Sequence, residues 1–175
     1  MYVFDTDHIS ILQLGEGIEY ERLTERIARH SESNFFVTIV SFHEEVGGWY
    51  DYLAKAKQSI WVVRAYEKFE AILDSFANVQ ILPFGSNAAD IFEEMRSRGV
   101  RIGTMDLRIA SIAIANQMTL LSRNTVDYSK VPSPAFQDWL VSKTRYACSD
   151  GGPHIALAFV SNLMAPQRRS PRCAG

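Results

Sequence analysis

The sequence predicts an α/β fold, a mostly parallel central sheet of four to five strands with helices on both faces. Three observations predict it. Short β-branched or aromatic runs alternate with helical stretches along the first 140 residues. The helical stretch 107–117 is apolar around most of its circumference and rich in small residues, as in Ile109-Ala110 and Ile112-Ala113-Ile114-Ala115, so it is buried against a sheet. The strand-like runs also end in, or lead into, acidic residues. That is where an α/β sheet places a ligand site.

Taken in order, Tyr2-Val3-Phe4 reads as the first strand and runs straight into Asp5-Thr6-Asp7. Asp7 can cap a short helix over 8–14, which Gly15 and Gly17 end. Residues 18–30 have helical apolar spacing at Ile18, Leu23, Ile27 and Ala28. Residues 35–40 are β-branched and aromatic, hence a second strand. Ser41 then reads as an N-cap with Glu44 at capping-box spacing, opening a helix to about Ala54. Gly47-Gly48 inside it costs about 1 kcal/mol per glycine relative to alanine, which close packing or backbone approach would explain.

A long helix over 57–76 completes a helical hairpin. Residues 79–82 form a third strand, ended by Pro83. Ser86 or Asn87 caps a helix to Arg98, and Gly99 stops it. Thr104 or Asp106 opens the buried helix, 119–121 is a fourth strand, 122–127 is the loop at its end, and 135–139 is a short edge strand.

Residues 141–175 break the alternation. Gly151-Gly152-Pro153, Pro166 and Pro171 predict a loosely ordered extension, within which 155–164 can form a helix of unassigned packing. The domain expectation is therefore a core over 1–140 and an atypical extension over 141–175.

Composition narrows the function classes. The hydrophobic fraction of 47% is that of a globular chain, and no apolar run approaches the roughly 18 residues of a membrane span. The N-terminus lacks a basic flank, and Asp5 and Asp7 interrupt any secretory core. Cys148 and Cys173 make neither a ligand motif nor a disulfide framework. A cytoplasmic, reducing setting with no membrane partner is the expectation. The net charge of −2 is uneven. Lys143, Arg145, Arg168, Arg169 and Arg172 stand against Asp150 alone after residue 140, so the first 140 residues carry about −6. Such a body does not hold nucleic acid by bulk charge, and any contact has to be local and metal-assisted.

The acidic residues fall at equivalent places. Asp5 ends the first strand, Glu44 sits in the first helical turn after the second, Asp106 opens the helix before the fourth, and Asp127, with Asn124 before it, follows the fourth. Parallel strands bring these positions to one edge of the sheet. Taken singly, each has a plainer reading: Asp5 as a turn former, Glu44 as a capping-box residue, Asp106 as an N-cap, Asp127 as a solvated loop acid, Asn124 as a turn residue. Their shared position favours the joint reading. Carboxylates at close range require compensation, and a hard divalent cation such as Mg²⁺ or Mn²⁺ supplies it. An acidic cluster of this kind suits phosphodiester hydrolysis. His8 and His43 read as polar surface rather than ligands, and Asp7 as a cap.

The stretches Asp5-Thr6-Asp7, Val40-Ser41-Phe42-His43-Glu44-Glu45-Val46-Gly47-Gly48-Trp49, Asp106-Leu107-Arg108-Ile109-Ala110 and Leu120-Leu121-Ser122-Arg123-Asn124-Thr125-Val126-Asp127-Tyr128 together resemble a PIN domain, and in particular the VapC-type toxins of bacterial toxin–antitoxin pairs. The resemblance covers about residues 1–140, in order. It implies a three-layer α/β/α fold and a Mg²⁺- or Mn²⁺-dependent endoribonuclease. It also implies an RNA substrate at single-stranded or loop regions, a small antitoxin partner and a homodimer.

Carried across, Asp5, Glu44 and Asp106 match the first three acids. Glu44 is preferred to Glu45 because the family's acid stands four residues before a glycine, here Gly48. The fourth acid matches either Asn124 or Asp127, and Ser122 matches a Thr/Ser position. In this reading Asp5 and Asp106 hold the metal directly, Glu44 and Asp127 (or Asn124) hold its waters or a second ion, and Arg108 and Arg123 flank the cleft. The extension after Trp139 departs from the pattern.

Two rival readings remain. Asp5-Thr6-Asp7 also resembles the nucleophile loop of haloacid-dehalogenase phosphatases, with Asp5 as nucleophile and Asp7 as acid/base. Ile9 departs from the residue usual in that loop. The other rival is a catalytically silent PIN-like interaction module.

Overall fold

Each residue of the first strand faces the opposite side of the sheet from its neighbour, and both sides are buried. In the computed structural model, which describes residues 1–132, 135–141 and 157–163, β1 (Tyr2–Phe4) puts Val3 into one apolar cluster and Phe4 into another, each fully buried. Leu120 and Leu121 divide in the same way on β4 (Thr119–Leu121). Side chains on a strand alternate with period two, so two buried clusters require a helical layer on each face. That is why these strands read as continuous apolar runs rather than alternating ones.

Five strands make the sheet, with β2 (Phe35–Thr38), β3 (Ile81–Leu82) and β5 (Phe136–Gln137) completing the order β3-β2-β1-β4-β5. Every pairing is parallel. The three-layer α/β/α expectation holds, with β1 at the centre.

One face carries α1 (Thr6–Leu14), α2 (Ile18–Ile27) and α4 (Ser59–Ala77), whose Ile9, Leu12, Leu23, Ile27, Ile72 and Phe76 join Phe4, Phe35 and Leu121. The other carries α5 (Ser86–Ser97) and α6 (Thr104–Ala115), with Phe92, Met95, Ile109 and Ile112 against Val3 and Leu120. The buried helix over 107–117 is thus confirmed as α6, starting three residues earlier, from N-cap Gly103.

α3 (Ile39–Ala54) begins directly after β2, which corrects the capping-box reading. Thr38 is the N-cap, and its hydroxyl accepts from the Ser41 backbone N–H at 3.0 Å. Glu44 therefore lies well inside the helix and is not spent on capping. Asp5, not Asp7, caps α1, accepting from the Thr6 N–H at 2.9 Å. A Cβ at Gly47 or Gly48 would meet no atom within 4 Å, so close packing within the described chain is not what the glycine pair serves.

After β4, Thr125–Tyr128 forms a single helical turn, α7, capped by Asn124. Within the extension, Leu157–Leu163 forms α8, whose packing was open in the sequence. Phe159 stacks on Phe4 and lies tilted against Phe35, with ring centroids 5.3 and 5.4 Å away, and Ser75 of α4 donates to the Leu163 carbonyl at 3.1 Å. The remaining residues of the predicted loosely ordered extension lie outside the described residues. No helix among the described residues is long and apolar enough to cross a membrane.

Candidate active site

At the C-terminal edge of the parallel strands lies an open cleft of about 440 Å³, lined by Asp5, Thr6, Asp7, Ser10, Glu44, Glu45, Gly48, Trp49, Asp106 and Asn124. Residues from four separate segments thus meet where the chain order predicts. Asp5 leaves β1 and caps α1, Glu44 comes from α3, Asp106 from the first turn of α6, and Asn124 caps α7. The positive ends of α1 and α6 point toward the carboxylates and offset part of their mutual repulsion.

Asp5 is the most buried of the set, at 5% exposure. One oxygen accepts from the Thr6 N–H at 2.9 Å and the other from the Ser122 hydroxyl at 2.6 Å. Burial pushes its carboxyl up to about 6. The Ser122 and Thr6 hydrogen bonds oppose this, and the charges of Asp7 and Asp106 add to it. Asp106 is also raised, by burial first and then by the charges of Glu44, Asp127 and Asp7. Its carboxylate fits because residue 103 is glycine: a Cβ there would stand 2.8 Å from Asp106 Oδ2. Glu44 Oε2 accepts from the Thr6 hydroxyl. Glu45, beside it, has both oxygens near Gln13 Nε2, at 3.1 and 2.9 Å. Burial raises its carboxyl and the Gln13 amide lowers it.

The Asn124/Asp127 corner is divided between two roles. Asn124 lines the cleft, with Nδ2 3.4 Å from Asp106 Oδ2 and 3.1 Å from Asp127 Oδ2. Asp127 stands one step back and does not line the cleft. Its other oxygen accepts from Lys130, and Lys130 first and Asn124 second hold its carboxyl below the usual range.

Asp7 lines the cleft but is engaged. One oxygen accepts from His8 Nδ1 at 2.8 Å and the other from the Arg123 backbone N–H at 2.9 Å, so it ties α1 to the β4–α7 loop. Burial works against its ionisation, yet the His8 and Arg123 hydrogen bonds hold the carboxyl below its ordinary value. His8 is fully buried rather than surface, while His43 is exposed. Neither predicted arginine lines the cleft. Arg123 pairs with Glu19 at 3.2 Å, and Arg108 lies over the Phe92 ring.

Sequence reasoning missed three supporting residues. Thr6 was visible between Asp5 and Asp7 but reads as a spacer until its hydroxyl is seen to reach Glu44. Gly103 carries no signal of its own. Tyr128 is fully buried, and its hydroxyl lies against Asp5 without a hydrogen bond of full geometry among the described residues. Burial, then the charges of Asp5 and Asp106, hold the phenol protonated, far above its ordinary range. A hydroxyl so placed beside buried carboxylates marks a place where the protein has not optimised for stability.

The donor set fits a hard, hydrated divalent cation. The facing groups are oxygens on four segments; after burial, the charge of Asp106 adds to the rise at Asp5, and the charge of Glu44 adds to the rise at Asp106. No three acidic, histidine or cysteine side chains among the described residues close into a cage. Mg²⁺ is characteristically held by one or two carboxylates while it keeps several waters.

Comparison with known proteins agrees with this fold. No family model matches the chain. Its sequence is 28% identical over 92 residues to Ribonuclease VapC2 of Rickettsia felis, covering 50% of this chain and 69% of that protein. Its fold matches VapBC2 of Rickettsia felis bound to a promoter DNA fragment, with TM-score 0.56, 21% identity, and 79% of this chain and 98% of that one covered. It also matches FitAcB of Neisseria gonorrhoeae, with TM-score 0.59, 24% identity, and 79% and 99% covered. The sequence resemblance to the VapC-type PIN-domain proteins is thereby borne out, in fold over most of the chain and in sequence over half of it.

Proposed function

We propose that this protein is a divalent-metal-dependent endoribonuclease, the toxin of a type II toxin–antitoxin pair. The observation that carries this reading is the meeting of Asp5, Glu44, Asp106 and Asn124 in one cleft, in a fold shared with VapBC structures. Asp5 and Asp106 hold Mg²⁺ or Mn²⁺ directly. Glu44, fixed by Thr6, would add its charge to hold the hydrated cation. Asn124 forms the fourth wall, and Asp127 orients Asn124 from behind while Lys130 neutralises it.

The bound cation supplies activation of water and neutralisation of charge at the phosphoryl group. Ser122 and the Thr6 N–H fix the Asp5 carboxylate in place. The products are 5′-phosphate and 3′-hydroxyl ends. A small antitoxin silences the enzyme, a reading supported by the partner-bound state of the VapBC and FitAcB structures. The protein acts in the cytoplasm as a homodimer. The phosphatase alternative needs a free acid at Asp7, and both oxygens of Asp7 are already engaged.

The test is RNA cleavage by purified protein with Mn²⁺. Asp5→Asn, with its fold verified, is expected to lose activity by on the order of 100-fold or more. A parent protein that leaves RNA intact with every divalent metal tried, or an Asp5→Asn variant that cuts as well as the parent, refutes the proposal.

A further inference from the structure

Beside the candidate active site the local charge reverses sign. A second cavity, of about 500 Å³, is lined by Arg98, Gly99, Val100, Arg101, Lys130 and Pro132. Among the described residues no acidic side chain lines it, although the chain as a whole carries −2. Its walls come from the two segments that flank the site. One is the turn between α5 and α6 that leads to Asp106; the other follows α7 and Asp127. Gly99 has φ +78°, the left-handed conformation that turns the chain sharply at the end of α5. The turn brings both Arg98 and Arg101 to line one cavity.

A hydrogen-bonded path joins this cavity to the cleft. Lys130 donates to one Asp127 oxygen, and the other accepts from Asn124 Nδ2 at 3.1 Å. That same nitrogen is 3.4 Å from Asp106 Oδ2. The cations are not all committed within the protein. Arg101 makes no ion pair among the described residues. Among the described residues Arg98 pairs only with Glu94, at 3.2 Å, with both side chains more than half exposed. A pair of that kind exchanges readily for another anion.

An RNA strand entering an acidic cleft meets repulsion at every phosphate except one neutralised by a cation, and the acidic body offers no bulk attraction. Guanidinium groups match phosphate oxygens in a bidentate fork and hold the strand in register without reading sequence. We propose that this cavity is a phosphate subsite for the RNA backbone adjoining the scissile bond. Arg101 and Arg98 bind the phosphate, and Lys130 links the subsite to the catalytic corner. The inference rests on the ribonuclease reading above.

The test compares the full-length parent with Arg101→Gln and with Arg98→Gln/Arg101→Gln. Both side chains are exposed, so the fold is expected to survive, and thermal melting checks it. Cleavage of a fluorescent single-stranded oligoribonucleotide with Mn²⁺ gives kcat and KM. Anisotropy with the same oligonucleotide, in an Asp5→Asn background, gives Kd from about 50 to about 200 mM salt.

The expected result is a KM raised roughly three- to tenfold in the double variant with kcat little changed. The slope of log Kd against log salt should fall by about one for each arginine removed. Mn²⁺ affinity by calorimetry should match the parent. An unchanged KM and salt slope overturns the subsite. So does a joint loss of kcat and Mn²⁺ affinity, which assigns the arginines to the structure of the metal cleft. A parent that neither binds nor cuts the oligonucleotide overturns the ribonuclease reading itself, and the subsite with it.

Discussion

Replacing Asp5 with asparagine should make the metal-free protein more stable at neutral pH. Asp5 is 5% exposed, and burial, reinforced by Asp7 and Asp106, pushes its carboxyl from 3.8 up to about 6 despite the hydrogen bonds from Ser122 and Thr6. A carboxyl whose pKa rises on folding binds its proton more tightly in the folded state. Its favourable contribution is complete below the unfolded pKa and disappears as pH rises through about 6. The difference of roughly 2 pH units amounts to about 3 kcal/mol at neutral pH.

Asparagine keeps the shape of Asp5. Its carbonyl still accepts from the Thr6 N–H, and its amide can donate to the Ser122 oxygen. Urea titrations of parent and Asp5→Asn in chelator, at several pH values, measure the difference. The variant should exceed the parent by about 2–3 kcal/mol at neutral pH, with the two converging near about pH 4. For a chain this long, each kcal/mol moves Tm by roughly 2–4 °C. Mn²⁺ should then stabilise the parent more than the variant, because only the parent presents the full charge to the ion. If the metal-free variant is no more stable than the parent at neutral pH, or if their difference survives acidification unchanged, buried charge at Asp5 is not the source of strain.

Three further substitutions separate the roles of the surrounding residues. Tyr128→Phe removes a buried hydroxyl that makes no hydrogen bond of full geometry among the described residues, so urea titration of the metal-free protein should show a gain of about 1 kcal/mol; a loss of similar size would mean that the hydroxyl donates to Asp5 in solution. Gly103→Ala places a Cβ 2.8 Å from Asp106 Oδ2, so calorimetry should find Mn²⁺ affinity reduced about tenfold with Tm nearly unchanged; parental affinity would show that Asp106 shifts without consequence. Phe159→Ala removes a ring stacked on Phe4 and tilted against Phe35 and should cost about 3–5 kcal/mol by urea titration, whereas a cost below about 1 kcal/mol would show that α8 adds little to the core.

The parts of the fold legible in the sequence are those that local periodicity determines. Tyr2-Val3-Phe4 reads as a strand from its residue types, and the helix apolar around most of its circumference reads as one buried against a sheet, as both are. The start of α3 was misplaced because Ile39 and Val40 are β-branched and extend the apparent strand, while the signal that ends it is a hydroxyl contact from Thr38 to the Ser41 N–H. Glu44, expected in the first helical turn, lies in the second, yet it still lines the cleft because α3 follows β2 directly. Phe159 meets Phe4 and Phe35 across most of the chain length, a contact that no local pattern encodes. His8 looked polar and solvated, yet it lies wholly under the site as the partner of Asp7.

The Asn124/Asp127 corner shows why residue spacing alone could not assign the fourth position. The two residues are three apart, which on an extended loop would leave either free to face the cleft. On a one-turn helix they are not equivalent. The N-cap side chain turns back over the helix start, so Asn124 reaches both Asp106 and Asp127. Asp127 is drawn outward by Lys130. A neutral amide at that wall has an electrostatic consequence. Asp106 already carries the repulsion of Glu44, Asp127 and Asp7, and a further carboxylate at position 124 would raise it more. In the proposed metal site, Asn124 therefore confines the charge to be offset to Asp5, Glu44 and Asp106, while Asp127 pairs with Lys130 and accepts from the Asn124 amide.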